Sequence, residues 1–518
     1  MSAARLGGAA GPVRAAIAWQ PLVALVAIRL IGHGLASGPL AWGYMTDELY
    51  FLDSVDRLQW GYVDHPPLSI ALLRLWRDLF GSSLFSIRVP AGLCSASLIV
   101  LTGLLARELG GGRTAQALAG LGALSVPVYW SLGNYYSMNP IEQMLWALAF
   151  VLLARLANGG VGSLWVWLGV VLGVAMMNKV STGWLAAGIA VGVIATPLRA
   201  WLRTPWPWLA AAIVLLAALP FVLWNAANGW PFLEFSRNAA QEKVGRISLV
   251  EFVGTQIMVM GFAPALLWIP GLVYLFVAEP LRRYRALGWA FMVVAVLLAA
   301  SGSARPHYLA PAFPIAIAAA GVMIERAAAR WPSAPMRAAV ALAVTTVIML
   351  PLAIPLLPPA ATVRYQDMLG MRPPDERERG GALPMHLGLY LHAEAVLGPL
   401  QRAYAALPPA DRERVEILTL AFGETGAVNV LGAARGLPRA IGRHNQYGLW
   451  GPGAARGELV LVESDDPAQL ARWFRQCERV EDIDCAACMA MLDAQSIYLC
   501  RDAQPSLQAI WPQLRIYR

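Results

Sequence analysis

An acidic pair and an aromatic residue pair stand together in Thr46, Asp47, Glu48, Leu49, Tyr50 and Phe51. A short way on come Gly61, Tyr62, Val63, Asp64, His65, Pro66, Pro67 and Leu68. Two carboxylates followed by an imidazole suit a displacement in which a phosphate leaves. Phosphate departs without being protonated, so the reaction needs no general acid. It needs one carboxylate to take a proton from the attacking hydroxyl, and cationic or hydrogen-bonding groups to hold the phosphate as its charge grows. Asp47 suits the base, Glu48 a helper that positions the acceptor or a divalent cation, and His65 a phosphate contact. The two prolines fix the backbone and bias His65 toward an extended conformation. The same residues also read as a capped interfacial helix, with Thr46 as the cap and two acids suiting the helix dipole.

Further polar residues interrupt apolar surroundings. A charge at the centre of a spanning helix costs roughly 2.5 to 3.5 kcal/mol on insertion scales, so such a residue usually faces a cavity or a partner. Lys179, Glu142 and Arg29 are of this kind, although Lys179 lies near the end of its run, where an ammonium can also snorkel to the headgroups. Arg305, His307 and Tyr308 stand in a gap between two apolar runs, and a guanidinium there suits bidentate recognition of phosphate.

The elements that must position these residues are membrane helices. The 518 residues are 58% hydrophobic and 14% charged with mean hydropathy +0.54, too apolar for a soluble globule. The net charge of +8 sits mostly as arginines in short gaps between apolar runs; that is a topology signal and excludes a nucleic-acid partner. Apolar runs begin near Trp19, Val89, Ala115, Met138, Leu164, Thr182, Trp206, Thr255, Ala286, His307 and Ala338, about eleven spans. The first follows Arg5 and Arg14 without a small-residue cleavage site and reads as a retained span. From a cytoplasmic N-terminus, every inner loop then carries arginine. The long first loop, residues 41–88, falls on the outer side with everything after about Pro358. The expected fold is mainly α: a polytopic helical bundle over residues 1–358 and a small outer α/β domain over 359–518.

In that last third, Val415 to Phe422, Glu458 to Val462 and Ser496 to Cys500 read as strands and Pro467 to Gln476 as a helix. Gly423, Glu424, Thr425 and Gly426 lack the full glycine pattern of a nucleotide site and read as a turn. Cys477, Cys485, Cys488 and Cys500 are candidates for one or two disulfides on the oxidising side, with a zinc site at Cys485 and Cys488 as the alternative.

The first-loop segments resemble those of the C-type glycosyltransferase superfamily, specifically bacterial relatives of dolichyl-phosphate-mannose protein mannosyltransferases and of the lipid A aminoarabinose transferase. The resemblance continues through Tyr135 to Pro140 with Glu142, through Met177, Asn178 and Lys179, through Asn228 to Pro231, and through His444, Asn445 and Gln446. It implies a multi-pass enzyme of the bacterial inner membrane with a periplasmic C-terminal domain. The donor would be a polyprenyl-phosphate-sugar lipid; the acceptor a lipid, glycan or protein hydroxyl. Asp47 is the implied catalytic carboxylate with Glu48 beside it, and His65 stands where some members have lysine. Tyr50, Asp64, Tyr136, Glu142, Lys179, Arg305, His307 and Tyr308 are the candidate substrate contacts. A transporter or flippase of lipid-linked substrates would share the spans but shows no related halves here, and leaves Asp47, Glu48 and His65 unemployed.

Overall fold

The computed structural model describes residues 14–243, 248–301, 305–371, 382–485, 487–488 and 495–518. In lipid every backbone amide must be satisfied within the chain, and continuous apolar runs therefore become helices. In chain order these are α1 (Trp19–Ser37), the short α2 (Thr46–Ser54) and α3 (Leu68–Phe80), α4 (Leu84–Glu108), α5 (Arg113–Leu124), α6 (Pro127–Leu132), α7 (Met138–Ala157) and α8 (Ser163–Asn178). There follow α9 (Thr182–Ile194), α10 (Trp206–Ala227), α11 (Pro231–Asn238), α12 (Leu249–Met260), α13 (Phe262–Val277), α14 (Arg285–Ser301), α15 (Phe313–Ala327) and α16 (Ala334–Ala353).

Each of the expected apolar runs holds a helix, but not all are straight spans. Among the described residues seven helices are long and apolar enough to cross a membrane, or nine if two bent pairs each count as one. The run from Ala115 is divided into α5 and α6 because Pro127 pushes Val126 into extended backbone. The segment at Gly261 to Pro264 turns the chain by 120° between α12 and α13. Gly261 makes that corner with φ of 79°, where a side chain would be strained.

The two ends of the bundle differ. At the end where α4 and α7 finish, Glu108 is fully buried and gathers Arg14 at 2.9 Å, Arg155 at 3.1 Å and Arg107 at 3.4 Å. The opposite end carries α2, α3 and the rest of the chain. There α17 (Pro359–Met368), α18 (Met385–Gly388), α19 (His392–Ala406), α20 (Pro409–Arg412), α21 (Phe422–Leu431), α22 (Asn445–Trp450) and α23 (Pro467–Trp473) accompany a sheet.

That sheet has the order β2-β1-β3-β5-β4, from β1 (Glu416–Thr419), β2 (Ala440–Gly442), β3 (Leu459–Ser464), β4 (Phe474–Asp482) and β5 (Ser496–Ala503). The pairs β1–β2 and β1–β3 are parallel; β3–β5 and β4–β5 are antiparallel. Central β3 is buried at every residue, and its first four, Leu459 to Val462, are an unbroken apolar run, as expected of a strand covered on both faces. The expected helix from Pro467 stops at Trp473, not Gln476, because Phe474 onward pairs with β5 as an edge strand. Cys477 is bonded to Cys500 across that pair and Cys485 to Cys488, so the zinc alternative has no thiolates to use. Cys94, within α4, is free.

Candidate active site

Helix α2 begins one residue earlier than expected, at Thr46, and its cap is Met45 rather than Thr46. The Met45 sulfur accepts from the Asp47 amide, while Glu48 Oε2 accepts from the Met45 amide at 2.9 Å. Glu48 is wholly buried and every lone pair is engaged. Arg88 donates Nε to Oε1 at 2.8 Å and Nη2 to Oε2 at 2.7 Å, and the Tyr136 amide donates to Oε1 at 3.0 Å. Arg88 Nη2 also donates to the Gly43 carbonyl at 2.7 Å. A carboxylate so committed fixes the entry to α2 and has no direction left for an acceptor or a cation. Among the described residues no group of three His, Cys, Asp or Glu side chains could hold a metal ion.

His65 is also interior. Its ring lies 4.9 Å from Phe51, 4.9 Å from Tyr62 and 6.1 Å from Tyr50, and Nδ1 is 2.9 Å from the Pro66 carbonyl. Its side chain is fully buried, with Nε2 4.0 Å from Asp64 Oδ1. This aromatic box encloses the ring expected to contact phosphate; the imidazole packs α2 against the turn that starts α3. Tyr50 donates to Asp64 Oδ1 at 2.9 Å and accepts from the Gln446 amide at 3.3 Å. Burial, then the Asp64 carboxylate, pushes the Tyr50 phenol well above its ordinary value. Tyr136 donates to the Ser69 carbonyl at 2.6 Å. Tyr50, Asp64 and Tyr136 thus hold the loop together.

The remaining sequence candidates converge on one wall. Asp47 is half-buried in the first turn of α2. Burial, with Asp47 and then Tyr390 adding to it, pushes the Tyr135 phenol well above its ordinary value, so Tyr135 lies within electrostatic reach of Asp47. Asn139, next along this wall, accepts from Lys179 Nζ at 2.9 Å, and Glu142 Oε2 accepts from it at 2.7 Å. Lys179 is the C-cap of α8 in extended backbone, which turns its side chain out of the helix line toward α7. Ser181 donates to Glu142, and Lys179 Nζ stands 5.2 Å over the Tyr308 ring. Tyr308 meets His307 edge-on at 4.9 Å, and Arg305 and Lys179 both lie within electrostatic reach of His307. A chain of polar contacts, largely buried, therefore runs from Asp47 through Tyr135 and Asn139 to Lys179, Tyr308 and Arg305.

The sheet region clamps α2 from the other side. The stretch from Gly423 to Gly426 is the first turn of helix α21, not a loop turn, with Glu424 accepting from the Ala421 amide at 2.6 Å. A Cβ on Gly426 would stand 2.8 Å from the Leu49 carbonyl carbon, and one on Gly423 2.9 Å from Thr46 Cβ. These two glycines let the helix axes approach to backbone contact. Beyond them Asp53 binds Arg439 and accepts from Asn429 Nδ2 at 2.8 Å, and Gln446 Oε1 accepts from the Val63 amide at 3.0 Å. Leu49 belongs to the apolar core of the sheet region with Val396, Leu397 and Val428, while Tyr390 and Tyr447 belong to the core of the bundle.

Behind the glycines lies a buried acid pair. Glu463, only 4% exposed, has neither oxygen hydrogen-bonded within the chain, and Glu424 sits 3.5 Å from His392 Nε2. Burial, then the Glu424 charge, raises the Glu463 carboxyl well above the ordinary carboxylate value, so it folds as the neutral acid. Its contribution to stability is full below the unfolded-state value and is lost as pH rises through the folded one. Glu463→Gln is therefore expected to unfold with wild type near pH 4 and several degrees above it at pH 8, on a scale of about 2 to 4 °C per kcal/mol. Thermal unfolding of the purified protein across that range tests this; a constant offset would remove the ionisation from the account.

Arg88, Tyr135, Asn139, Ser181, Asp53 and Gln446 escaped the sequence reading as site residues. For Arg88 a signal existed: an arginine inside the outer end of an apolar run breaks the pattern that puts arginines in the inner loops. The others lie far apart in sequence and only the fold joins them.

The chain is a multi-pass helical bundle that holds the acidic start of α2 against a sheet region. Residues 64–224 match the family described as dolichyl-phosphate-mannose-protein mannosyltransferase. The undecaprenyl phosphate-alpha-4-amino-4-deoxy-L-arabinose arabinosyl transferase 1 of Pseudomonas fluorescens (strain Pf0-1) is 28% identical over 173 residues, 31% of this chain and 29% of that relative's length. The crystal structure of ArnT from Cupriavidus metallidurans bound to undecaprenyl phosphate superposes with a TM-score of 0.59 at 16% identity, covering 94% of this chain and 98% of the other. Its apo form gives 0.58 at 15%, covering 92% and 97%. The fold is that of these two ArnT structures.

Proposed function

We propose that this protein transfers a sugar from a polyprenyl-phosphate-sugar to an acceptor hydroxyl at the outer face of the bacterial inner membrane. The N-terminus then lies in the cytoplasm, in keeping with the arginines gathered at the Glu108 end, and the sheet domain, residues 359–518, in the periplasm. The observation that carries the reading is the chain of contacts joining Asp47 to Lys179 and Tyr308, which brings a carboxylate and a cation into one polar network between α2, α7 and α8. The acceptor oxygen attacks the anomeric carbon as the bond to the phosphate oxygen breaks; the electron pair leaves with the polyprenyl phosphate and the hydroxyl proton passes to Asp47. Lys179, Arg305 and Tyr308 are the groups for the phosphate, with His307 and Glu142 setting the charge and orientation around them. Glu48 and His65 position α2 and touch neither substrate. Glu142 is engaged by Lys179 and Ser181, which leaves Asp47 as the carboxylate for the acceptor and favours a single displacement with inversion.

The test is transfer by the purified protein in nanodiscs from undecaprenyl-phosphate sugars, paired with mass spectrometry of glycans and glycolipids from cells with and without the gene. A product of inverted anomeric configuration is expected. Retention of configuration would sink the single displacement, and no change in any glycan would sink the transfer.

A further inference from the structure

Arg29 is a charge in apolar company that the proposed reaction does not employ. It stands near the middle of α1, whose buried face carries Arg29, His33 and Ser37 at four-residue spacing, while Val23, Ile28 and Ile31 are exposed. The helix hides its polar side and turns its apolar side outward, the reverse of a helix in water. Arg29 is only 2% exposed, and its Nε and Nη1 hydrogen-bond to nothing within the chain. Its contacts are one long bond, from Nη2 to the Tyr129 carbonyl at 3.4 Å, and the Trp130 ring, over which the guanidinium stands at 4.2 Å. Arg88 is matched by Glu48 and Lys179 by Glu142, so among the described residues Arg29 keeps a buried charge without a carboxylate.

An unpaired charge in this setting lowers stability, and a residue kept at that cost usually serves the site. What Arg29 touches tells which part it serves. Tyr129 and Trp130 belong to α6, and the turn that follows, residues 133–137, leads into α7. A Cβ on Gly133 would stand 2.5 Å from Arg29 Nη2, and one on Gly32 2.8 Å from the Trp130 ring, so guanidinium, ring and turn are closely packed. From this turn three residues in a row lead toward the start of α2. Asn134 Nδ2 donates to the Tyr390 hydroxyl at 3.2 Å, Tyr135 lies within electrostatic reach of Asp47, and the Tyr136 amide donates to Glu48 at 3.0 Å. A carbonyl and a ring face both attract a cation, and an apolar side chain of the same length fills the space with far less of that pull. We propose that Arg29 is a positioning residue for the transfer: its charge, held on the Tyr129 carbonyl and the Trp130 face, fixes the α6–α7 turn from behind, and that turn holds α2 with Asp47. The inference rests on the glycosyl-transfer reading and adds to it a residue that touches neither substrate.

Arg29→Met keeps the length of the side chain and removes the charge; Arg29→Lys keeps the charge. In nanodiscs, purified Arg29→Met is expected to unfold at or above the wild-type temperature, because a buried charge lacking a partner is gone. It is expected to bind undecaprenyl phosphate as wild type does and to transfer sugar about tenfold more slowly. Arg29→Lys is expected to recover about half or more of the wild-type kcat, since an ammonium also sits on a ring face and a carbonyl. A merely structural arginine gives another pattern, a lower unfolding temperature with kcat per folded molecule unchanged, and that result would overturn the assignment. So would wild-type kcat in Arg29→Met, or Arg29→Lys as slow as Arg29→Met. If wild type itself neither binds undecaprenyl phosphate nor transfers sugar, the transfer reading fails and this inference with it, an outcome the wild-type control reports before any variant is compared.

Discussion

Replacing Asp47 with asparagine is expected to leave a folded, inserted protein that binds undecaprenyl phosphate normally and transfers sugar about 10²- to 10⁴-fold more slowly. The amide keeps the size and the first-turn position but cannot take up the acceptor proton. Because Asp47 is only half-buried and its helix is held by Glu48, Arg88 and the sheet domain, folding does not depend on its charge. The decisive measurement is kcat against donor affinity: kcat should collapse while affinity holds. Full turnover in Asp47→Asn would remove it from the reaction.

The neighbouring acid should behave in the opposite way. Glu48→Gln leaves the Arg88 guanidinium without a counter-charge in a site where both side chains are completely enclosed. Breaking a buried pair by one partner costs about 3–5 kcal/mol, enough to deplete the folded protein. The expected result is little membrane-inserted protein and a much lower unfolding temperature. The double change Glu48→Gln with Arg88→Met should recover part of that stability, because no charge is then left alone. A Glu48→Gln protein as stable as wild type but catalytically dead would instead assign Glu48 to the acceptor.

Much of the architecture is legible in the sequence because lipid is an exacting solvent. Every apolar run became helix, and the first loop packs against the sheet region. What was not legible follows from physics that sequence spacing does not carry. Proline and glycine decided which runs break, at Pro127 and Gly261, and strand β4 is too polar on its exposed edge to announce itself. Asp47 was read from the acid pair of the first loop, Lys179 and Glu142 from charge in apolar company, and Arg305, His307 and Tyr308 from their place in a gap. Glu48 and His65 carry the same chemical promise on paper. The fold turned both inward, because a capping carboxylate and a ring beside proline can serve packing as well as chemistry. The Gly423 to Gly426 stretch looked like a turn because nothing local reveals which distant backbone will press on it.

That glycine contact has a consequence for how the chain could be rebuilt. The helix bearing Asp47 rests one flank on the bundle and presses the other, backbone to backbone, on α21 of the sheet region. Severing the chain near residue 358 would strip α2 of its second cradle, and grafting a foreign outer module would succeed only if it brought two small residues in the same register.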